Sequence, residues 1–463
     1  MTTKPPTNTT DATILNSHNP STGDIVGSVP ITPVAEIDSI IAKANAALPA
    51  WQAMTAQQRA DILKPAGKIL ADRADELGKI LSLEQGKPLA EGVGEVNGCA
   101  ARMDWENDEV ANAVQSEILK SDGIESTIHY DGYGVCAAIT PWNFPILMPH
   151  WTIVPALIAG NTVITKPSEQ TPLIADEYVK ILNQFLPEGV LQIIHGEDDQ
   201  GKALVAGDIH LIAFTGSKNA GQHIMAAAAN GLKRLILELG SKDPLIVLEG
   251  ADLEKAATTG VTNALRNCGQ VCVSTERVYV QDSIKEEFIA KVLENTKEFT
   301  VGDCLDESAK IGPMVMREQK DHVVAQINDA IAKGAKVLFG NEPRDGNFIS
   351  PTLLDNCTHD MDIMTVETFG PVICIQGVSG ADEAVALAND TEYGLGAVVF
   401  GEEQLARKVG NQLTAGMIGI NKGIGGASGT PWVGARHSGF SYHSGPMGHR
   451  QFCQVRVVSV NAE

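Results

Sequence analysis

Long apolar runs are absent from this sequence, and their absence argues against a membrane-spanning helix. No stretch of the roughly 18 consecutive apolar residues that such a helix needs is present. The opening residues MTTKPPTNTT contain no apolar segment behind a basic start, so we expect no secretory signal and a cytoplasmic protein. The polar, Pro- and Thr-rich residues 1–12 predict a disordered arm.

Cysteine and positive charge are also scarce. The 463 residues include only 8 cysteines, irregularly spaced, which is typical of free thiols in a reducing compartment. Cys268 and Cys272 lie near each other, but no second cysteine pair or histidine pair completes a zinc pattern, so we expect no metal. The formal net charge of −22 repels phosphates, which argues against nucleic acids and anionic membranes as partners.

Strands and helices alternate from about residue 134, which predicts parallel sheets with crossover helices. Before that point, Thr32-Pro33 predicts a helix start with the threonine as N-cap, Thr55 and Gln58 predict a capping box, and Pro65 predicts a kink. The length of the series favours two α/β domains joined near residues 238–242. The predicted strands are 135–139, 162–165, 190–194, 210–214, 245–248, 277–280, 335–339, 397–400 and 417–421.

Two segments, 117–130 and 454–460, alternate polar and apolar residues and fit neither series. The second, QVRVVSV, has the pattern of an exposed strand, and a free strand edge readily pairs with another chain. One interpretation is oligomerisation by strand pairing, and the other is an edge strand of the same subunit. We favour the first, a homo-dimer or homo-tetramer, because large enzymes are often symmetric oligomers.

No standard phosphate-binding loop is present. Gly92–Gly98 resembles a dinucleotide fingerprint, but its glycine spacing is wrong and a helical pattern precedes it. Better cofactor signals follow strands: Lys166 and Glu169 can bind ribose hydroxyls, and Gly216-Ser217 opens a helix whose N-terminus attracts phosphate. The alternative for Ser217 is a plain strand-to-helix turn capped by the serine.

Two reactive side chains have unusual settings. Cys272 ends a glycine-containing turn that can present a thiol into a cleft, where a thiolate is a strong nucleophile. The alternative is a buried core cysteine. Glu238 ends the apolar run LILEL, where a buried carboxylate either finds a partner or has a raised pKa that suits a general base. The alternative is a satisfied structural carboxylate.

Six motifs occur in one order along the chain, namely PWNFP at 141–145, KPSE at 166–169, FTGS at 214–217, LELG at 237–240, NCGQVC at 267–272 and ETFGPV at 367–372. Together they resemble the signature motifs of the NAD(P)-dependent aldehyde dehydrogenase superfamily, over nearly the whole chain. The resemblance implies an α/β fold with two Rossmann-like parallel-sheet domains and a small β bridging element. We expect residues 1–114 and 134–239 to bind cofactor, 240–440 to be catalytic, and 115–133 with 441–463 to mediate oligomerisation.

The resemblance also implies residue roles in the oxidation of an aldehyde to an acid. Cys272 would be the nucleophile that forms a thiohemiacetal and then a thioester, Asn143 with the Cys272 backbone N–H would form the oxyanion hole, and Glu238 would activate water. Twelve residues would bind the cofactor: Ile139, Thr140, Pro141, Trp142, Lys166, Ser168, Glu169, Gly216, Ser217, Leu239, Glu367 and Phe369.

Glu169 predicts the cofactor preference. Its carboxylate would accept hydrogen bonds from ribose hydroxyls and repel a 2′-phosphate, which favours NAD over NADP. Lys166 tempers this expectation because it can pair with a 2′-phosphate if the glutamate moves away.

The substrate positions favour different aldehydes. Trp151 offers an apolar wall and a π-face to a neutral or cationic aldehyde. Arg266 matches one carboxylate-binding arginine of relatives that use succinate semialdehyde, although a structural ion pair explains it equally well. Ser241, Val366 and the segment PWVGARHSGF at 431–440 depart from the usual pattern of the family, which leaves the substrate mouth open to either interpretation.

The motifs leave two alternative functions. In the CoA-acylating branch of the superfamily, CoA replaces water as the acyl acceptor, but Glu238 would then be unneeded. A catalytically silent binding protein on this fold would have lost Cys272, Asn143 or Glu238, and all three are retained.

Overall fold

A six-stranded sheet forms the centre of the first α/β unit. The structure is a computed structural model that describes residues 13–462, so the predicted disordered arm lies outside the described residues. Adjacent strands of this sheet are parallel except for the last, short strand, which pairs antiparallel with the strand that ends in Glu238. In spatial order the strands are Leu191–Ile193, Thr162–Lys166, Val135–Ile139, Leu211–Thr215, Arg234–Glu238 and Gly439–Phe440.

Helices cover both faces of this sheet because their apolar stripes pack on its buried strands. The capping box at Thr55 and Gln58 is confirmed, and Pro65 begins a new helix directly after the one that Thr55 caps. The helices are Ile37–Gln52, Ala56–Leu63, Pro65–Asp72, Ala74–Gln85, Leu89–Ala113, Leu147–Ile158, Pro172–Leu182, Asp198–Ala206 and Lys218–Ala228.

The predicted cap at Thr32 is wrong. Pro33 is the N-cap of a short 3₁₀ turn, Val34–Glu36, and makes no side-chain capping bond. The Thr32 hydroxyl instead accepts a hydrogen bond from the backbone N–H of His195 at 3.0 Å. A long-range contact has therefore taken the oxygen that a local cap would use.

A seven-stranded sheet with its own hydrophobic core forms the second unit. Its strands are parallel except for the outermost, Lys336–Phe339, and two of them, Thr352–Asp355 and Val372–Val378, were not predicted. The spatial order is Lys336–Phe339, Thr352–Asp355, Val372–Val378, Thr275–Gln281, Asp243–Val247, Gly396–Phe400 and Met417–Ile420. The helices are Leu253–Leu265, Lys285–Lys297, Arg317–Ala332, Asp362–Thr365, Ala381–Asn389 and Glu403–Gly410.

A third, antiparallel sheet has Cys453–Asn461 at one edge, Ile124–Gly132 in the middle and Glu117–Ser121 at the other edge. The C-terminal strand therefore pairs within its own chain, and its second edge pairs with no strand of the described residues. Large apolar side chains remain exposed on this sheet: Ile118, Leu119, Ile124, Val455, Val457, Val458 and Val460. Such a surface is typical of an interface, and the homo-oligomer stays a prediction.

Smaller elements complete the chain. Ile14–His18 and Ile25–Pro30 form an N-terminal hairpin, and Trp432–Val433 pairs with Tyr442–His443 ahead of the short helix Gly445–His449. None of the helices in residues 13–462 is long and apolar enough to cross a membrane. The predicted fold class of two parallel-sheet units and a small β element is confirmed, whereas the domain boundaries stay a prediction.

Candidate active site

A cavity of about 250 Å³ opens beside Cys272. It lies where strands of the first sheet end, so it collects residues from several motifs that are far apart in sequence. Nine predicted site residues line it: Pro141, Trp142, Asn143, Gly216, Ser217, Leu239, Cys272, Glu367 and Phe369. The Trp142 and Phe369 rings meet edge to face with centroids 5.5 Å apart, so these two side chains form one rigid wall.

The turn before Cys272 has an unusual backbone. Asn267, Cys268 and Gly269 all adopt positive φ, at 50°, 57° and 71°, which costs energy for residues with a side chain. A Cβ on Gly269 would lie 2.1 Å from the Gly370 carbonyl oxygen, so only glycine fits there. The Asn267 amide donates to the backbone carbonyls of Asn143 and Gln270 at 3.0 and 3.1 Å. These bonds hold the turn in the conformation that presents Cys272.

The Cys272 thiol faces Glu238. Its Sγ lies 3.3 Å from Glu238 Oε1, and the thiol is the donor because a carboxylate only accepts. Burial raises the pKa of the Cys272 thiol well above its usual value, and the neighbouring Glu238 carboxylate raises it further. The cysteine therefore rests as a thiol with a base in hydrogen-bond contact. The Ser241 hydroxyl donates to the Cys272 carbonyl. Ser241, which is one of the positions that depart from the family pattern, therefore helps to hold the nucleophile in place.

Asn143 lies across the turn from Cys272. Its side-chain N–H donates to the Gln270 carbonyl at 3.1 Å, and an amide carries a second N–H that can serve a ligand. The Lys87 ammonium donates to the Asn143 carbonyl at 2.9 Å and pairs with Glu95 at 2.7 Å. Because this lysine and glutamate are both buried, they fix the position of Asn143 from behind.

Glu238 has partners on both carboxylate oxygens. Trp432 Nε1 donates to Oε1 at 3.0 Å, and His443 Nε2 lies 3.1 Å from Oε2. Of the two outcomes predicted for a buried carboxylate here, the structure shows the partnered one. Trp432 and His443 were both missed, although Trp432 lies in the segment that departs from the family pattern.

Glu367 enters the cavity from the second unit. Its Oε1 accepts the Ser241 N–H at 2.8 Å, and burial raises its pKa. A Cβ on residue 240 would lie 2.3 Å from the Glu367 carboxylate, so Gly240 permits this approach. The backbone N–H of Phe369 donates to Glu276 at 2.9 Å. This bond fixes the position of Phe369, and with it the aromatic ring, beside the Glu367 carboxylate.

A second cavity, of about 590 Å³, lies further along the same edge of the first sheet. Ile139 and Lys166 line it, together with residues that were not predicted, including His223 and Lys202. Lys166 is buried with its Nζ 3.9 Å from Glu169, and burial lowers its pKa. The two cavities fit the two ends of a dinucleotide.

Ser217 and Thr140 support this fit in different ways. The Ser217 hydroxyl accepts the Ala220 N–H at 3.3 Å, so the serine caps helix Lys218–Ala228 as the alternative interpretation predicted. The N-terminus of that helix still faces the main cavity, and a helix N-terminus favours the binding of a phosphate. The buried Thr140 hydroxyl has no hydrogen-bond partner within the described part of the chain, so it is available to a ligand.

The remaining predicted residues lie outside the two cavities. Ser168 is half-buried and accepts the Gln170 N–H at 3.3 Å. Trp151 packs against Trp432 and His443, next to a small cavity lined by Glu238. Arg266 is half-buried and is not among the residues that line the main cavity. Burial and Glu238 raise the pKa of the Cys272 thiol, and the Arg266 charge opposes that rise. Met148, Thr215, Gly240, Met316, Gln319 and His322 line the main cavity and were missed.

Comparison with known proteins decides the family. The profile described as "Aldehyde dehydrogenase family" matches residues 7–458. The chain belongs to the aldehyde dehydrogenase family. It is 35% identical over 450 residues to a succinate-semialdehyde dehydrogenase [NADP(+)] of Escherichia coli, which covers 96% of this chain and 93% of that protein. A probable succinate-semialdehyde dehydrogenase [NADP(+)] of Sinorhizobium fredii is also 35% identical, over 96% of this chain and 92% of the relative.

Solved aldehyde dehydrogenase structures share the fold. An aldehyde dehydrogenase from Brucella melitensis biovar abortus superposes with a TM-score of 0.94 at 35% identity, over 97% of this chain and 94% of that chain. The resemblance drawn from the six motifs is confirmed, and this aldehyde dehydrogenase is an oxidoreductase acting on aldehydes.

The predicted preference for NAD over NADP is wrong. Both semialdehyde dehydrogenases named above are NADP(+) enzymes by name. The error came from treating Glu169 as a fixed carboxylate that repels a 2′-phosphate. In the structure Glu169 is part-exposed and the Lys166 ammonium lies 3.9 Å from its carboxylate, so a cation that can pair with a phosphate stands beside the repelling charge.

Proposed function

We propose that this aldehyde dehydrogenase oxidises an aldehyde to its carboxylate with water, through a thioester on Cys272. The observation that carries the proposal is the contact of Cys272 Sγ with Glu238 Oε1 at 3.3 Å, beside a cavity that Asn143 also lines. A nucleophile, a base in contact with it and a neutral N–H donor are the groups that acyl chemistry requires.

The first step is attack of Cys272 on the aldehyde carbon. Glu238 takes the thiol proton, a C–S bond forms, and the carbonyl π electrons move to oxygen. The resulting oxyanion is stabilised by the second Asn143 N–H and the Cys272 backbone N–H, which are already in place and need no reorganisation.

Oxidation follows at the same carbon. A nicotinamide dinucleotide, when bound, would supply the hydride acceptor for this carbon. Glu367, Phe369 and Trp142 would hold its nicotinamide end, and Ile139 and Lys166 would hold its adenosine end. A thioester remains on Cys272.

Hydrolysis completes the reaction. Glu238 first releases the thiol proton to solvent, and it then removes a proton from water while the water oxygen bonds to the acyl carbon. The C–S bond breaks to release the acid, which ionises, and the Cys272 thiolate regains its proton from Glu238. The CoA-acylating alternative uses Glu238 for the first step only and gives it no role in release of the acyl group, and a silent binding protein leaves the whole thiol–carboxylate contact unexplained. Aldehyde-dependent NADPH formation, with carboxylate as the product and no need for CoA, tests the proposal.

We further propose that NADP serves as cofactor and that Lys166 recognises its 2′-phosphate. Lys166→Gln removes a charge-assisted bond, so KM for NADP should rise about 10- to 100-fold, while KM for NAD changes little. Initial rates at varied cofactor concentration measure both constants. Lys180→Gln, an exposed lysine paired with Asp176, is the matched control. Equal losses with both cofactors would show that Lys166 does not recognise the 2′-phosphate.

Arg266 supports an aldehyde with an anionic far end as the substrate. Its Nε is buried and has no hydrogen-bond partner in residues 13–462, which is costly unless a ligand satisfies it. Arg266 begins the 3₁₀ turn Arg266–Gly269, which leads to Cys272. We therefore propose that it holds the far carboxylate of a short semialdehyde acid.

Arg266→Ala should raise KM about 10- to 100-fold for a semialdehyde acid and leave kcat less affected, because the distal carboxylate keeps its charge throughout the reaction. Neutral aldehydes of equal length are the internal control and should be indifferent. Equal losses for charged and neutral aldehydes would make Arg266 structural and favour the neutral-aldehyde interpretation of Trp151.

A further inference from the structure

An aromatic cluster packs against Glu238, next to a small cavity that Glu238 also lines. It consists of Trp151, Trp432 and His443, with ring centroids 5.2 to 6.2 Å apart. His443 is buried. Elements from three parts of the chain meet here: helix Leu147–Ile158 and the paired strands Trp432–Val433 and Tyr442–His443. Their meeting point is the carboxylate that contacts the nucleophile.

Two members of the cluster hold the carboxylate from opposite oxygens. Trp432 Nε1 donates to Oε1 at 3.0 Å, and His443 Nε2 lies 3.1 Å from Oε2. Because an ionised carboxylate only accepts hydrogen bonds, Nε2 carries the imidazole proton. His443 Nδ1 is then the acceptor of the Ser444 hydroxyl, 2.9 Å away. We name this arrangement of Trp432 and His443 the carboxylate clamp.

Few charged groups face His443. Glu238 is in direct contact, and Cys272 acts through it. On the neighbouring helices, His150 is engaged by Tyr178 and Glu106, and His449 by Glu109. Arg102 lies beyond the cluster, 5.4 Å from the Trp151 ring. Within residues 13–462, the group in hydrogen-bond contact with His443 that changes charge during the reaction is therefore Glu238.

We propose that Trp432 and His443 are positioning residues for thioester hydrolysis, and that protonation of His443 switches this step off. The proposal rests on the proposed function and deepens it. While His443 is neutral, the clamp holds the Glu238 carboxylate aimed at Cys272. A proton added at Nδ1 turns the imidazole into a cation, and a carboxylate paired with a cation removes a proton from water less readily.

The switch acts on the basicity of Glu238. During hydrolysis a water O–H bond breaks, its proton goes to Glu238, a C–O bond forms and the C–S bond breaks. Weakening Glu238 slows that proton transfer, and it also slows removal of the Cys272 thiol proton in the first step, so both phases depend on His443. Once the thioester has formed, acid pH should therefore slow its decay on Cys272.

Decay of the acyl-enzyme at different pH values tests the clamp. Full-length enzyme is loaded with aldehyde and NADP, quenched at intervals and analysed by intact mass spectrometry between pH 5 and 9. His443→Gln keeps a donor to Glu238 but cannot titrate. Its decay rate at pH 8 should stay within about threefold of the wild type, while its acid limb moves down by about one pH unit or more, toward the range of a carboxylate.

His437→Gln is the matched control, because His437 pairs with Glu392 on the exposed surface of the same segment. It should keep the wild-type profile. Trp432→Phe keeps a ring but loses one donor to Glu238, so its decay should slow about 3- to 10-fold at every pH with an unchanged midpoint.

The outcomes separate the clamp from the proposed function. A His443→Gln enzyme that forms the acyl adduct but keeps the wild-type pH midpoint would overturn the clamp alone. Absence of any adduct on Cys272 in the wild type would overturn the proposed function, and the clamp with it. The amplitude of the NADPH burst in the first turnover reports the fraction of folded active sites, so it identifies a His443→Gln enzyme that is merely destabilised. In that case the decay rate of Trp432→Phe decides whether the clamp supports hydrolysis.

Discussion

Cys272→Ala should lower aldehyde oxidation by roughly 10⁴- to 10⁶-fold, because no other group can form the covalent intermediate. Cofactor binding should survive, since the change removes only a half-buried sulfur and leaves the wall of Trp142 and Phe369 intact. Steady-state NADPH formation measures the loss of activity, and quenching of protein fluorescence by NADPH measures binding.

Cys268→Ala is the control within the same turn. The Cys268 thiol is buried in the core, 3.5 Å from the Met314 sulfur, and burial raises its pKa far above neutral, so it stays an unreactive thiol. This variant should keep most of the activity, with some loss of stability. Near-normal turnover in Cys272→Ala, or a dead Cys268→Ala enzyme that still folds, would contradict the assignment of the nucleophile.

Glu238→Gln should slow hydrolysis of the thioester about 10²- to 10⁴-fold, the usual contribution of a general base. The first turnover should still produce a burst of NADPH. Because the Cys272 thiol donates to Glu238 and has a raised pKa, the burst itself should slow at neutral pH and recover at high pH, where the thiol ionises unaided.

Rapid-mixing measurement of the burst and of the following steady rate separates these two effects. Glu249→Gln, at an exposed glutamate that accepts the Ser283 hydroxyl, serves as the control and should match the wild type in both phases. A Glu238→Gln enzyme that shows neither burst nor acyl adduct at high pH would mean that Glu238 is needed before the thioester forms.

Local patterns predicted the regular parts of the fold well. The parallel strands Val135–Ile139 and Gly396–Phe400 follow from short apolar runs between helical segments, and the capping box at Thr55 follows from the fixed spacing of its partners. The strand Gly439–Phe440 could not be predicted in this way. Two residues carry no periodicity, and their place beside the strand ending in Glu238 is set by tertiary packing.

The residues of the active site divide in the same way, into those that a local motif indicates and those that only tertiary contacts bring together. The turn leading to Cys272 was recognisable because a glycine at positive φ and a terminal cysteine form a short motif. His443 lies 205 residues from Glu238 in sequence, so only the folded chain reveals their contact. The NAD preference failed for a related reason: the sequence names both Glu169 and Lys166 but does not show which of the two charges dominates, and in the structure the Lys166 ammonium lies 3.9 Å from the part-exposed Glu169 carboxylate.

Location of the acyl adduct is the most direct test of the central claim. Glu238→Gln enzyme, mixed with aldehyde and NADP and quenched in acid within the first turnover, should carry one acyl group on the peptide that contains Cys272 when analysed by peptide mass spectrometry. The adduct should disappear in the Glu238→Gln, Cys272→Ala double variant. An acyl group on another residue, or NADPH formed in the first turnover without any adduct, would contradict the covalent mechanism.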